Sequence, residues 1–130
     1  MRRSEQRRAA VVALYQHDVT GRPLSELLGS DAPPFTKELV EGVERHRQEI
    51  DSLIEQYAEG WSLERIAPLE RNIMRVALHE ILHRPDVPLE VAIDEAVEQA
   101  KQFCAADAPR FVNGVLAAVA RAKGLVRDSG

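Results

Sequence analysis

The sequence predicts an all-α fold. Apolar residues recur at three- and four-residue spacing in one segment after another, and no stretch alternates apolar and polar residues as a half-buried strand would. Proline or glycine punctuates the junctions between these segments. The junctions are mostly short, so consecutive helices should pack as neighbours around shared apolar faces. At 130 residues, a single domain spanning 1–130 is expected, since that length buries roughly two-thirds of its unfolded surface around one core.

Taken in order, Ser4 is a candidate cap for a first helix from Glu5 to about Val19, halted by Gly21 and Pro23. Ala10, Val11, Leu14 and Tyr15 supply its apolar stripe, with arginines in the first turns. Pro23 to Leu28 reads as a helical turn and Gly29 to Pro34 as a loop. The next helix covers Phe35 to Arg45, with Leu39, Val40 and Val43 inward. It is followed by one from Arg47 to Glu59, in which Ile50, Leu53, Ile54, Tyr57, Ala58 and Trp61 share a face; Gly60 closes it. Ser62 caps a short turn, and Pro68 suits the first position of a helix reaching His83. That helix is apolar on most sides, leaving a polar stripe of Arg71, Arg75, His79 and His83, so it should lie at the centre.

Beyond the turn at Pro85 and Pro88, Leu89 to Phe103 is amphipathic, with Ile93, Ala96, Val97, Ala100 and Phe103 inward. Its outer face carries the acidic row Glu90, Asp94 and Glu98, which reads as a solvated face. A loop from Cys104 to Ala108 leads into the last helix, which opens at Pro109 and runs to Lys123; Phe111, Val112, Val115, Leu116 and Val119 form its stripe. Asn113 and Gly114 fit a helix interior poorly, Gly by about 1 kcal/mol relative to Ala. A second helix lying close over Gly114 is therefore expected, with the Asn113 amide bonded to backbone nearby.

The formal charge is −4, yet the first eight residues hold Arg2, Arg3, Arg7 and Arg8 against Glu5 alone. A basic end on an acidic body suits a polyanion at one end and a basic partner elsewhere. The lone Cys104 excludes an internal disulfide framework and reads as a small buried thiol. No N-terminal apolar run resembles a signal peptide or a membrane span, so a cytoplasmic protein without membrane association is expected.

Few enzymatic patterns are present. There is no G-x-S-x-G elbow, Walker loop or G-x-G-x-x-G, and no cofactor is implied. His79-Glu80-Ile81-Leu82-His83 matches H-E-x-x-H, which on a helix could hold zinc with Glu80 as general base, giving a zinc metallopeptidase as the alternative reading. Its context opposes this: Arg71 and Arg75 share the stripe, and Pro85 ends the helix two residues later. RNA binding is the stronger expectation. Arg2, Arg3, Arg7 and Arg8 suit phosphate contacts, and Arg110, Phe111 and Tyr57 could cover unstacked bases of single-stranded RNA. With 5% aromatic residues there is no extended stacking platform. A structural or dimerising helical module without RNA affinity is the remaining class.

Val91-Ala92-Ile93-Asp94-Glu95-Ala96-Val97-Glu98-Gln99-Ala100-Lys101-Gln102-Phe103, followed by Arg110-Phe111-Val112-Asn113-Gly114-Val115-Leu116, closely resembles the C-terminal signature of the NusB family of bacterial transcription antitermination factors. Arg7-Arg8-Ala9 with Ala13-Leu14-Tyr15 resembles the family's arginine-rich first helix. Leu69-Glu70-Arg71 with Arg75 to Ile81 resembles its central helix, and Asp86-Val87-Pro88 its following turn. The resemblance implies an all-α bundle of about seven helices in two packed halves. It also implies a non-enzymatic factor that joins NusE, a small-subunit ribosomal protein, binds the boxA element of nascent RNA, and helps RNA polymerase read through terminators, notably in ribosomal RNA operons. Carried over by position, Arg7, Arg8, Asp107, Arg110 and Phe111 would lie in or beside the RNA surface, and Tyr15, Glu64 and Glu70 on the NusE face. A homodimer is left open, because the surfaces that would meet NusE could meet each other. Two residues depart from the family pattern: Cys104 stands where many relatives have Gly, and Pro109 where a polar residue is common.

Overall fold

The computed structural model describes residues 1–125; residues 126–130 of the expected domain lie outside the described residues. Helices are α1 (Arg3–Thr20), α2 (Leu24–Leu27), α3 (Pro34–Arg45), α4 (Arg47–Tyr57), α5 (Pro68–His83), α6 (Leu89–Phe103) and α7 (Ala108–Ala122), with a 3-10 turn at Leu63–Arg65. No strand occurs among the described residues, and no helix there is long and apolar enough to cross a membrane.

α1 packs on α3 and α6 on α7, while α5 touches both pairs as well as α4. The expected central position of α5 follows from its composition: Ile73, Met74, Val76, Ala77 and Leu78 are all buried, so it needs neighbours around most of its circumference. Leu14, Leu39, Ile54, Met74 and Leu116 belong to the same apolar cluster, which runs continuously from α1 to α7.

The polar stripe of α5 is buried at Arg75 and His79 and half-buried at Arg71 and His83, and each member meets an acid from another helix. Arg71 Nε donates to Asp18 at 2.7 Å, and Arg75 bonds Asp18 at 2.9 Å and Asp51 at 2.8 Å. His79 lies 2.8 Å from Glu38, and His83 lies 2.7 Å from Glu49. Buried charges persist only when paired and hydrogen-bonded, and this ladder ties α1, α3 and α4 to the central helix. Burial opposes ionisation of Asp18, but hydrogen bonds from Arg71 and Asn72 and the charge of Arg75 lower its pKa to about 2.

Several expectations change. Ser4 does not cap α1: the helix starts at Arg3, and the Ser4 hydroxyl donates to Glu95 on α6 at 2.6 Å. α4 ends at Tyr57 rather than Glu59; the chain then turns through Gly60 at φ +80°, which carries Trp61 out of the apolar stripe to 51% exposure. Phe103 is likewise 49% exposed rather than inward, because it is the last residue of α6. Gly114 is not a crossing point: it is exposed, and a Cβ there would meet nothing within 4 Å. The close approach is at Gly42 in α3, where a Cβ would collide with the His79 ring.

Candidate nucleic-acid interface

The four N-terminal arginines divide by helical geometry. Arg7 precedes Ala10, Val11 and Leu14 by three, four and seven residues, so it extends the buried stripe of α1 toward the N-terminus. It is only 3% exposed. Its Nε donates to both carboxylate oxygens of Glu80 at 2.9 and 3.0 Å, and an Nη donates to Oε1 at 2.8 Å. Glu95 lies 3.5 Å from the same guanidinium. Burial pushes the Glu80 carboxyl above its ordinary value, against the pull of Arg7. The expectation that Arg7 faces RNA phosphates is therefore corrected: its charge is turned inward and neutralised, which removes it from the solvent-facing set.

Arg8 lies about 100° further round the helix and is exposed. Its guanidinium carbon stands 5.5 Å from the centroid of the Phe103 ring, within the range of a cation–π contact. Arg3 covers Phe35 at 4.3 Å and sits 3.8 Å from Asp86, and Arg2 reaches Glu5 at 3.4 Å. Arg2, Arg3 and Arg8 are thus surface cations, their ion pairs being either exposed or absent, and Arg8 connects the start of α1 to the corner between α6 and α7.

At that corner Cys104 has extended backbone, φ −120° and ψ 177°, which any residue adopts, so no glycine is needed there. Pro109 sits within the first turn of α7, where its missing N–H costs no helical bond. Asp107 and Arg110 are exposed and Phe111 is half-buried. Asp107 and Phe111 line a surface groove of about 280 Å³ together with Trp61, Ile66 and Glu70. Burial, then the Asp107 charge, raises the Glu70 pKa. Burial, then Glu70, raises that of the Cys104 thiol, which is half-buried rather than fully buried as expected.

The family resemblance implies a place for Glu70 on one partner face and for Asp107 with Phe111 on another; the fold makes them walls of a single groove. Arg110 does not line it. Of the other partner-face candidates, Tyr15 is half-buried on α1 and Glu64 is exposed on the 3-10 turn. Arg71 holds that turn in place by donating to the Leu63 and Ile66 carbonyls, both at 3.2 Å, while it pairs with Asp18. Trp61 and Phe103 are surface aromatics that apolar periodicity assigns to the core. The only sequence signals of their exposure are Gly60 and the loop after Phe103. Tyr57, the other aromatic considered for base stacking, is half-buried and packs against the core.

The H-E-x-x-H segment does not assemble as a zinc peptidase centre. Glu80 is enclosed by Arg7 and unavailable as a general base. His79 Nε2 is committed to Glu38, its Nδ1 is buried without a partner, and its ring centroid stands 5.8 Å from that of His83. Burial lowers the His79 pKa despite Glu38, so its ring is neutral at pH 7.

The NusB family model matches residues 4–121. The chain is 53% identical over 105 residues to the transcription antitermination protein NusB of Frankia casuarinae, covering 78% of each chain. Among solved structures, T. maritima NusB superposes with a TM-score of 0.82 at 35% identity, over 93% of this chain and 92% of that one. A structure of the antitermination factors NusB and NusE in complex with double-stranded RNA gives a TM-score of 0.80 at 30% identity, over 94% of this chain and 99% of the other.

Proposed function

From the premise that this chain belongs to the NusB family, we propose that it is a non-enzymatic transcription antitermination factor that binds nascent RNA together with NusE. The RNA would be of the single-stranded boxA type, and the complex would promote read-through by RNA polymerase, notably in ribosomal RNA operons. Such a role is exercised in the cytoplasm, by residues 1–130 acting as one domain.

The observation that carries the RNA reading is the pairing of Arg8 with exposed Phe103, 5.5 Å apart, at the end of the molecule that also presents Arg2 and Arg3. A guanidinium beside an aromatic plane offers phosphate neutralisation and a stacking surface at one place. Asp107, Arg110 and Phe111 extend this surface along the entrance of α7. Tyr15, Glu64 and Glu70 are the proposed NusE contacts, acidic and aromatic groups suited to a basic ribosomal protein. Glu70 and Asp107 share the groove with Phe111, so the RNA and NusE surfaces adjoin.

The test is titration of boxA-like single-stranded RNA, a scrambled strand and a duplex at several salt concentrations, with and without NusE. Preference for boxA that strengthens with NusE is expected. Arg8→Ala should flatten the slope of log affinity against log salt by roughly 0.7 for each phosphate that Arg8 neutralises. Equal affinity for boxA and scrambled strands under every condition would overturn the reading.

A further inference from the structure

The junction between α3 and α4 brings together a second group that the RNA and NusE surfaces do not use. His46 joins α3 to α4, Glu49 lies one turn on in α4, and His83 is the last residue of α5. The His46 and His83 rings stack with centroids 3.6 Å apart and planes within 12°. His83 Nε2 is 2.7 Å from Glu49 Oε1. One ligand atom from each residue lies within 4.8 Å of the others. The three residues border an open surface cavity of about 510 Å³, also lined by Gln48 and Ser52.

We propose that His46, Glu49 and His83 form a binding site for a divalent transition ion, with zinc the best fit. Two imidazoles and one carboxylate match the three-protein-ligand set zinc accepts, with water completing the tetrahedron. Zinc at its usual bond lengths needs donor atoms roughly 3.4 Å apart; the set lies within 4.8 Å, so binding requires χ rotations that unstack the His46 and His83 rings and turn their in-plane lone pairs toward one point. The ion replaces the His83–Glu49 hydrogen bond with two coordinate bonds. Glu49 supplies the negative charge, and the carbonyl end of α5 adds a favourable field at His83. Arg45 also lines the cavity and opposes the ion, so moderate affinity is expected. His79, the other histidine of the H-E-x-x-H segment, stays outside the set because Glu38 holds its Nε2 and its ring rests against Gly42.

Untagged full-length chain titrated with zinc chloride against a colorimetric chelator tests the site, with cobalt(II) absorption as an independent report on the ligands. One zinc per chain is expected, weakened at least about tenfold in both H46Q and H83Q and less in E49Q, with H17Q unchanged. Circular dichroism checks that each variant is folded. If H83Q fails to fold, H46Q decides, since that residue sits at a helix junction. Three results overturn the proposal: no saturable binding at zinc concentrations on the order of 100 μM, unchanged binding in folded H46Q, or a cobalt–thiolate band that moves the ion to Cys104.

Discussion

Changing Arg7 to Ala separates a structural arginine from an RNA-binding one. In the fold, Arg7 makes three hydrogen bonds to Glu80 at 2.8–3.0 Å, and the two side chains are 4% and 1% exposed. Removing the cation leaves a carboxylate that is 1% exposed, without its hydrogen-bond donor, and with Glu95 set against the weaker pull of Arg84. Breaking a buried pair in this way costs about 3–5 kcal/mol. With an unfolding entropy near 2.1 cal/mol/K per residue, that corresponds to a fall in Tm of roughly 10–20 °C for a chain of this size. Urea and thermal unfolding measure it directly. The double variant Arg7→Met with Glu80→Leu removes both charges and should recover most of the stability, because two apolar side chains of similar volume carry no desolvation penalty. RNA affinity of the folded double variant should keep its salt dependence. An Arg7→Ala protein within about 1 kcal/mol of the parent in stability, yet deficient in RNA binding, would show that Arg7 faces the ligand and that the buried pair is wrong.

Two further perturbations test the packing. Gly42→Ala should destabilise by about 1–3 kcal/mol, because the new methyl meets a His79 ring pinned by Glu38. Gly114→Ala should instead stabilise by up to about 1 kcal/mol, its Cβ meeting open space within a helix; denaturant midpoints compare the two, and equal signs would refute the assignment. Asp18, held to about 2 against an ordinary 3.8, contributes stability that is complete above about pH 4 and is lost as the pH falls toward 2. The amount is about 2 kcal/mol. Asp18→Asn should remove that acid-sensitive part of the urea midpoint profile, and a variant that retains the same decline would exclude Asp18 as its source.

The sequence by itself determined the helices, their order and most of their inward faces. Periodicity is a property of each segment alone, and a segment such as Ile73 to Leu78 has so many apolar residues that only a central place can bury them. Family signatures at both ends of the chain marked the proposed RNA surface in the same local way. What local pattern could not decide was the partner of each polar group. Arg7 and Arg8 are adjacent and chemically identical, and one is buried because Glu80, 73 residues away, waits across α1 and α5. The spacing of Arg7 to Ala10, Val11 and Leu14 was a usable sign of its inward face, yet only the acid opposite makes such burial tolerable. The close approach expected at Gly114 falls at Gly42 for the same reason: a glycine's need for space is set by what crosses it, here His79 from another helix. Trp61 and Phe103 left the core because the chain turns at helix ends that periodicity extends too far. Neither the groove joining Glu70 to Asp107 nor the grouping of His46, Glu49 and His83 exists in any one segment. Tertiary structure decided these, since both depend on helices far apart in the chain meeting at a surface.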